Sequence, residues 1–192
     1  MRRAMSGVER GRRSGDLTRD RILNAAIARF AAHSYDAIGL RDVARDAGVD
    51  AAYVHRCFGS KERLFADCVR ATLRLEPALA AGQGDPADNL AKLVLHAHRD
   101  IGALDIFIQS CSSPTAARVL KEIAPEVISL VSREFGGLSP VRTTLALALL
   151  TGVGILKNVI GVAPIADADE QDLTRLISDV LKHILRSGDV QA

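Results

Sequence analysis

The sequence predicts an all-α fold: an N-terminal three-helix head carrying a helix-turn-helix, then a larger helical part, about nine helices in all. Three observations point there. Aromatic residues make up only 4% of the 192 residues and Trp is absent, so the core must be aliphatic, and the Ala and Leu that dominate it are strong helix formers. Apolar residues recur at three-four spacing in one segment after another, with no period-two run and no internal repeat. Ser, Asp, Pro and Gly stand between those segments, where helices open and close. The composition, 48% apolar and 25% charged, is that of a globular protein and leaves no room for long disorder.

Each element has its own signal. Residues 1–15 form an Arg/Gly/Ser arm without periodicity, expected to be disordered. Thr18 suits an N-cap with Asp20 in the first turn, and Ile22, Leu23, Ala26, Ile27 and Phe30 follow at helical spacing until His33 to Tyr35. A second, short helix fits Leu40 to Ala47 and is ended by Gly48, which tolerates the left-handed turn. A third fits Ala51 to Cys57. Ser60 caps a fourth, lined by Leu64, Phe65, Cys68 and Thr72, which runs toward Gly82 and Gly84. Asp85-Pro86, Ser113-Pro114 and Ser139-Pro140 each read as a cap followed by proline at the first helical position. They open helices expected to reach about Leu104, Gly136-Gly137 (with a kink at Pro125) and Val162. A last amphipathic helix carries Leu173, Leu176, Ile177, Val180, Leu181, Ile184 and Leu185 and closes near Gly188.

Charge is unevenly distributed. Residues 1–70 hold 14 Lys and Arg against 9 Asp and Glu, whereas residues 71–192 hold 11 against 14. A basic first third suggests that this end meets a polyanion. The three cysteines, Cys57, Cys68 and Cys111, have no framework or metal-ligand spacing, so neither a disulfide scaffold nor a zinc site is expected, and the expected compartment is the reducing cytoplasm. Thr144 to Ala166 is apolar and long enough to span a bilayer. Lys157 and Asn158 inside it argue for a helix packed between protein surfaces, since a charge near the bilayer centre costs ~2.5–3.5 kcal/mol.

The stretch most informative about function is Gly39 to Phe58. Two short helices joined through Ala47-Gly48-Val49 have the form of a helix-turn-helix. Ala44 and Ala47 are small enough for a close crossing, Gly48 makes the turn, and Val43, Val49 and Val54 supply a small shared core. The second helix of such a unit projects into the major groove of DNA.

The span from Thr18 to about Val69 resembles the tetracycline-repressor-like (TetR) family of bacterial regulators. Thr18-Arg19-Asp20-Arg21-Ile22-Leu23-Asn24-Ala25-Ala26 with Phe30 is similar to the family's first-helix pattern. Val43-Ala44-Arg45-Asp46-Ala47-Gly48-Val49 is similar to its I-A-x-x-A-G-V stretch. His55-Arg56-Cys57-Phe58-Gly59-Ser60-Lys61-Glu62-Arg63-Leu64 is similar to its Y-x-x-F-x-S-K-x-x-L element. Three elements in order at the right separations make the match specific over roughly fifty residues. The sequence departs from the pattern at Gly39, where Ser or Thr often caps the second helix, at Asp50-Ala51, where Ser-Lys is frequent, at His55, where Tyr is usual, and at Cys57, a common aromatic position.

The resemblance implies a DNA-binding domain over residues 16–76, with the helix-turn-helix at 39–58, and a helical effector-binding and dimerisation domain over 77–192. Candidate DNA contacts are Thr18, Arg41, Asp50, Ala51, Tyr53, His55, Arg56 and Lys61. Lys61 opens the fourth helix, where an ammonium and a helix N-terminus both favour phosphate. Arg56 can pair with guanine and Tyr53 can pack or donate a hydrogen bond. An ionised Asp50 cannot donate to phosphate and suits a helix cap. Arg10, Arg12 and Arg13 suit a minor groove or simply add charge. Tyr53 and His55 are also residues that a head can bury.

In the second part, the apolar helix followed by the amphipathic one resembles the region that pairs two subunits of the family through a four-helix bundle. Gly152 and Gly154 permit close helix contact. A homodimer supplies the two-fold symmetry that a palindromic site requires. Leu104, Phe107, Ile108, Cys111, Val131 and Asn158 are candidates to line a small-molecule effector pocket, with Gln109 and His98 as further polar candidates. The apolar members are equally what a closed core uses. The implied function is a ligand-responsive repressor of double-stranded DNA, with no cofactor, no metal and no membrane partner. No nucleophile-base spacing, H-E-x-x-H motif or phosphate-cradling glycine loop points to an enzyme.

Overall fold

The computed structural model describes residues 7–73, 75, 79, 84–96 and 102–185, with side chains from residue 16 onward. Ten helices occur among them, and no strand. They are α1 (Gly7–Ala32), α2 (Leu40–Ala47), α3 (Ala51–Phe58), α4 (Lys61–Leu73), α5 (Pro86–Leu95), α6 (Ala103–Ser110), α7 (Pro114–Glu134), α8 (Pro140–Gly154), α9 (Ala163–Ala166) and α10 (Glu170–Leu185). The chain divides into two compact units. One runs through Thr72 and includes Asp105–Val119; the other holds Leu73–Leu104 and Leu120 onward.

In the first unit, α1 buries Ile22, Ala26 and Phe30 completely, one turn apart. That spacing aligns them on one stripe. A 3-10 turn at Tyr35–Ala37 then brings Tyr35 beside Phe30 and Phe65. Ring centroids lie 5.9 Å apart for Phe30–Tyr35 and 5.0 Å for each edge-on contact with Phe65. Such geometry suits the ring quadrupoles and adds ~0.5–1.5 kcal/mol per pair beyond burial. Val43, Ala44 and Ala47 of α2 meet Val54 and Phe58 of α3, all buried, as the helix-turn-helix spacing predicts. Gly48 ends α2 at φ 63°, its N–H donating to Arg45 O while Val49 N–H donates to Ala44 O. Cys68 is fully buried in α4, and burial pushes its thiol up, so it packs as an apolar group.

One expectation for the first helix is corrected. α1 begins at Gly7, so Thr18 lies inside it rather than at its N-cap, Asp20 is not in its first turn, and residues 7–15 continue the helix instead of forming an unstructured arm. Once Ile22, Ala26 and Phe30 have anchored the helix, each further residue adds a hydrogen bond without a new nucleation cost. Residues 1–6 and the side chains of Arg10, Arg12 and Arg13 lie outside those described.

In the second unit, Leu90, Ala91 and Leu95 of α5, Ala146 and Leu150 of α8, and Leu173, Ile177, Leu181 and Leu185 of α10 form one buried cluster, joined by Val131 and Leu138. The helix openings, Ser113 of the first unit included, are those the sequence specifies. Asp85 accepts from Ala87 N–H at 2.8 Å, Ser113 from Ala116 at 3.4 Å and Ser139 from Arg142 at 3.3 Å, each followed by proline. Lys182 reaches Asp85 at 2.7 Å and Asp88 at 3.3 Å, and Ser178 donates to Asp88, so α10 is tied to the first turn of α5. The α5 helix ends at Leu95, short of the expected Leu104; residues 97–101, and the continuation toward Gly82, lie outside those described. The α7 helix runs on through Pro125. Beyond Gly154 the apolar helix widens into a π-helical stretch, Ile155–Ile160, closed by Gly161 at φ 71°.

Candidate nucleic-acid interface

The helix-turn-helix is fixed to α1 by arginines. Arg29 grips Asp46 with two hydrogen bonds, the Nη2–Oδ1 one at 2.9 Å, and Arg21 donates to Ala47 O at 3.0 Å. Cations at the C-terminal end of α2 also oppose its dipole. The Arg29 guanidinium holds the Asp46 carboxyl below the usual carboxylate value. At the other end of α2, Gly39 has no side chain to cap the helix. The Asp42 carboxylate instead accepts from Gly39 N–H at 3.0 Å, and that bond holds Asp42 low as well. Arg41, in the first turn of α2, is exposed.

The α3 helix presents two faces. Val54 and Phe58 are buried, while His55 and Arg56 are exposed. Asp50 is the N-cap, its Oδ1 accepting from Ala52 N–H at 2.7 Å. Ala51 begins the helix and is half-buried. Tyr53, also half-buried, lies outside the core and supports Arg56, whose guanidinium sits 4.6 Å from the ring centroid. A cation over a tyrosine face is held by the ring quadrupole, so the longest donor on α3 starts from a defined place.

Lys61 opens α4. Ser60 caps that helix, its Oγ accepting from Arg63 N–H at 3.2 Å. The Lys61 ammonium lies 4.1 Å over the Tyr35 ring. Burial lowers the Lys61 pKa, and the carboxylates of Asp36 and Glu62 offset part of that. Tyr35 is pushed up to about 12, first by burial and then by Glu62. Thr18 is half-buried within α1.

Two further anchoring contacts had no sequence signal. Arg19 stacks 4.6 Å over Phe58 and pairs with Asp67 at 2.8 Å, joining α1 to the end of α3 and the middle of α4. Ser113 donates to Asp36 at 3.0 Å across 77 residues of sequence.

The effector candidates fall in both units. Phe107, Ile108 and Cys111 belong to the first, with Phe107 and Cys111 exposed. Leu104, Val131 and Asn158 belong to the second. There a Cβ on Gly154 would lie 2.6 Å from Leu104 Cδ1, Val131 is part of the buried cluster, and Asn158 Nδ2 donates to Val94 O at 2.9 Å. Gln109 is half-buried, and His98 lies outside the described residues. No group of three His, Cys, Asp or Glu placed to hold a metal occurs among the described residues.

Comparison with known proteins matches both parts of the chain. Residues 22–68 match the bacterial regulatory proteins of the tetR family, and residues 87–185 match the tetracyclin repressor-like C-terminal domain. The HTH-type transcriptional regulatory protein RaaS of Mycobacterium tuberculosis is 44% identical over 85 residues, 42% of this chain and 40% of that one. A second curated relative is matched over only 28% of its length, so the matched stretches are well under half of both. A TetR-family regulator from Streptomyces coelicolor A3 is 28% identical with a TM-score of 0.56, over 88% of this chain and 94% of that one. The multidrug binding protein EbrR, solved with imidazole, is 19% identical with a TM-score of 0.57, over 90% and 97%, and shares the fold.

Proposed function

Because the chain belongs to the TetR family of bacterial regulatory proteins, and is by that membership a DNA-binding regulator of transcription, we propose that it is a repressor. In this reading it holds a palindromic operator as a homodimer and is released when a small molecule binds its C-terminal domain. It works in the cytoplasm, where its DNA is, and needs neither catalysis nor a cofactor. The observation that carries the reading is the division of α3, with Val54 and Phe58 inward and Arg56 outward on the Tyr53 ring. Arg56 then reads a base edge, and Lys61, His55, Arg41 and Thr18 meet the phosphate backbone. Asp50 and Ala51 set the start of the reading helix, and residues 16–76 are the DNA-binding domain.

A second copy of the chain fits the apolar face that α8 and α10 leave open. Val141 is 70% exposed, Leu145 55% and Ile160 63%, and Leu176 on the adjacent α10 is 62% exposed. Pro140–Ile160 is apolar and long enough to cross a bilayer by length and composition. However, its opposite side, Thr143, Ala146, Leu150 and Gly154, is buried within the second unit. A helix buried on one side and apolar on the other suits a bundle completed by two helices from each subunit. Paired heads then meet half-sites about 34–36 Å apart or a multiple of that. The effector acts through its differential affinity for the two subunit arrangements. Within the second unit, Leu104, Val131 and Asn158 remain candidate lining. EbrR, solved with imidazole, is a protein of the same fold that takes a small organic ligand.

The test is binding of the purified protein to the DNA upstream of its own gene at several salt concentrations. Affinity falls steeply with salt if phosphates are neutralised, and Lys61→Ala weakens binding to every sequence alike. Binding that ignores salt refutes the reading.

A further inference from the structure

The first compact unit contains a segment far from the helix-turn-helix in sequence, Asp105–Val119. Its link to the head is specific. Ser113 is buried, and its hydroxyl has two partners: it accepts from Ala116 N–H as the cap of α7 and donates to Asp36 Oδ1 at 3.0 Å. Asp36 is the middle residue of the 3-10 turn whose first residue is Tyr35. The Tyr35 ring packs on Phe30 and Phe65, and its hydroxyl lies beside the Glu62 carboxylate of α4, so the ring is placed by those neighbours together with the turn. Above that ring lies the Lys61 ammonium. Five residues after Ser113, Arg118 brings its positive charge to Glu62 and Tyr35.

We propose that Ser113 is a positioning residue for DNA binding: by capping α7 and clamping Asp36 with one hydroxyl, it sets the Tyr35 ring on which Lys61 is held for phosphate. The inference rests on Lys61 being a phosphate contact, as proposed above. A shift of α7 that breaks either bond of Ser113 loosens the turn and frees the lysine. The strength of one backbone contact is then adjustable from residues 105–119 without any change in the base-reading face of α3.

The experiment is a double-mutant cycle read by fluorescence anisotropy on a labelled random-sequence duplex, titrated at several salt concentrations. Lys61→Ala should weaken binding and lower the salt slope by about one. Ser113→Ala should weaken binding about threefold, the order expected when an immobilised side chain is released. It should have no further effect once Lys61→Ala is present, and Ser113→Thr, which keeps the hydroxyl, should restore binding. A Ser113→Ala effect that persists in the Lys61→Ala background overturns the proposal, because a general loss of structure acts whether or not the lysine is there. So does an unchanged affinity for Ser113→Ala when Lys61→Ala alone weakens binding, and that result leaves the functional reading standing. A neutral Lys61→Ala overturns the phosphate contact itself. Should Ser113→Ala fail to fold, exposed Asp36 carries the same test. Asp36→Asn and Asp36→Ala remove the same charge, but only the amide keeps an acceptor for Ser113. The alanine variant should bind about threefold more weakly than the asparagine one, and equal affinities overturn the proposal.

Discussion

The Arg56 guanidinium rests 4.6 Å from the centroid of the Tyr53 ring on the outward side of α3. Three residues apart on one helix, the two side chains lie over one another, and the flexible arginine is held before any partner arrives. Less of its freedom is then lost on binding, which favours affinity.

Arg56→Ala should relax preference at one base pair of the half-site by about 1–3 kcal/mol and leave random-sequence binding much less changed. Tyr53→Phe keeps the ring face and should keep that preference, while Tyr53→Leu should lose part of it. Binding to a set of single-base operator variants measures both. Equal loss on every sequence would show that Arg56 meets phosphate instead.

Leu145→Arg and Leu176→Arg place a charge on the open apolar face, at positions exposed in the single chain. Each should leave the helical circular dichroism signal intact and convert a dimer to a monomer in sedimentation velocity. Operator affinity should fall as dimerisation is lost. A wild-type protein that sediments as a monomer at micromolar concentration contradicts the assignment of this face.

The Asp85 carboxyl is held below its ordinary value of 3.8, chiefly by its hydrogen bond from Lys182 and also by Ala87 N–H. A carboxyl whose folded value is depressed contributes stability that is fully present above its unfolded value and lost as pH falls through the folded one. Asp85→Asn should therefore lower Tm at neutral pH. The gap from the wild type should begin to close as pH falls through 3.8 and be gone only below the lower value that Asp85 has in the folded protein, where its carboxyl is neutral too. A gap of constant size across the acid range shows that the ion pair is not its source.

Gly48 has φ 63°, and nothing lies within 4 Å of the place a methyl group would take, so only backbone conformation opposes a side chain there. Gly48→Ala should cost roughly 1–2 kcal/mol, and Gly48→Asn less, since asparagine tolerates the left-handed region. Thermal unfolding of the two variants checks the order. A neutral alanine variant would mean that the turn between α2 and α3 can be made another way.

Local chemistry was readable from the sequence and distant chemistry was not. Leu40–Ala47 was legible to the residue because Gly48 and the valines mark its end and its inner face. The three helices that begin with proline were legible from an Asp or Ser followed by Pro. The start of α1 was not, since Gly7, Gly11 and Gly15 read as interruptions when the anchoring by Ile22, Ala26 and Phe30 is left out. Nor was the membership of Asp105–Val119 in the first unit, because its contact depends on Asp36, 77 residues away from Ser113. Within the candidate interface, residue types pointed to Arg56 and Lys61, but their aromatic supports, Tyr53 and Tyr35, became visible only with the rings in place. Asp42 replacing a missing cap on Gly39 was within reach of the sequence, as an acidic residue at the third helical position.

Proline stands at the head of α5, α7 and α8. Its ring disfavours the helical region for the preceding residue and offers no amide hydrogen for an added turn. Growth backward at these amino ends is therefore costly. A rearrangement that carries these rods is cheaper when it translates or tilts them whole than when it winds on a further turn.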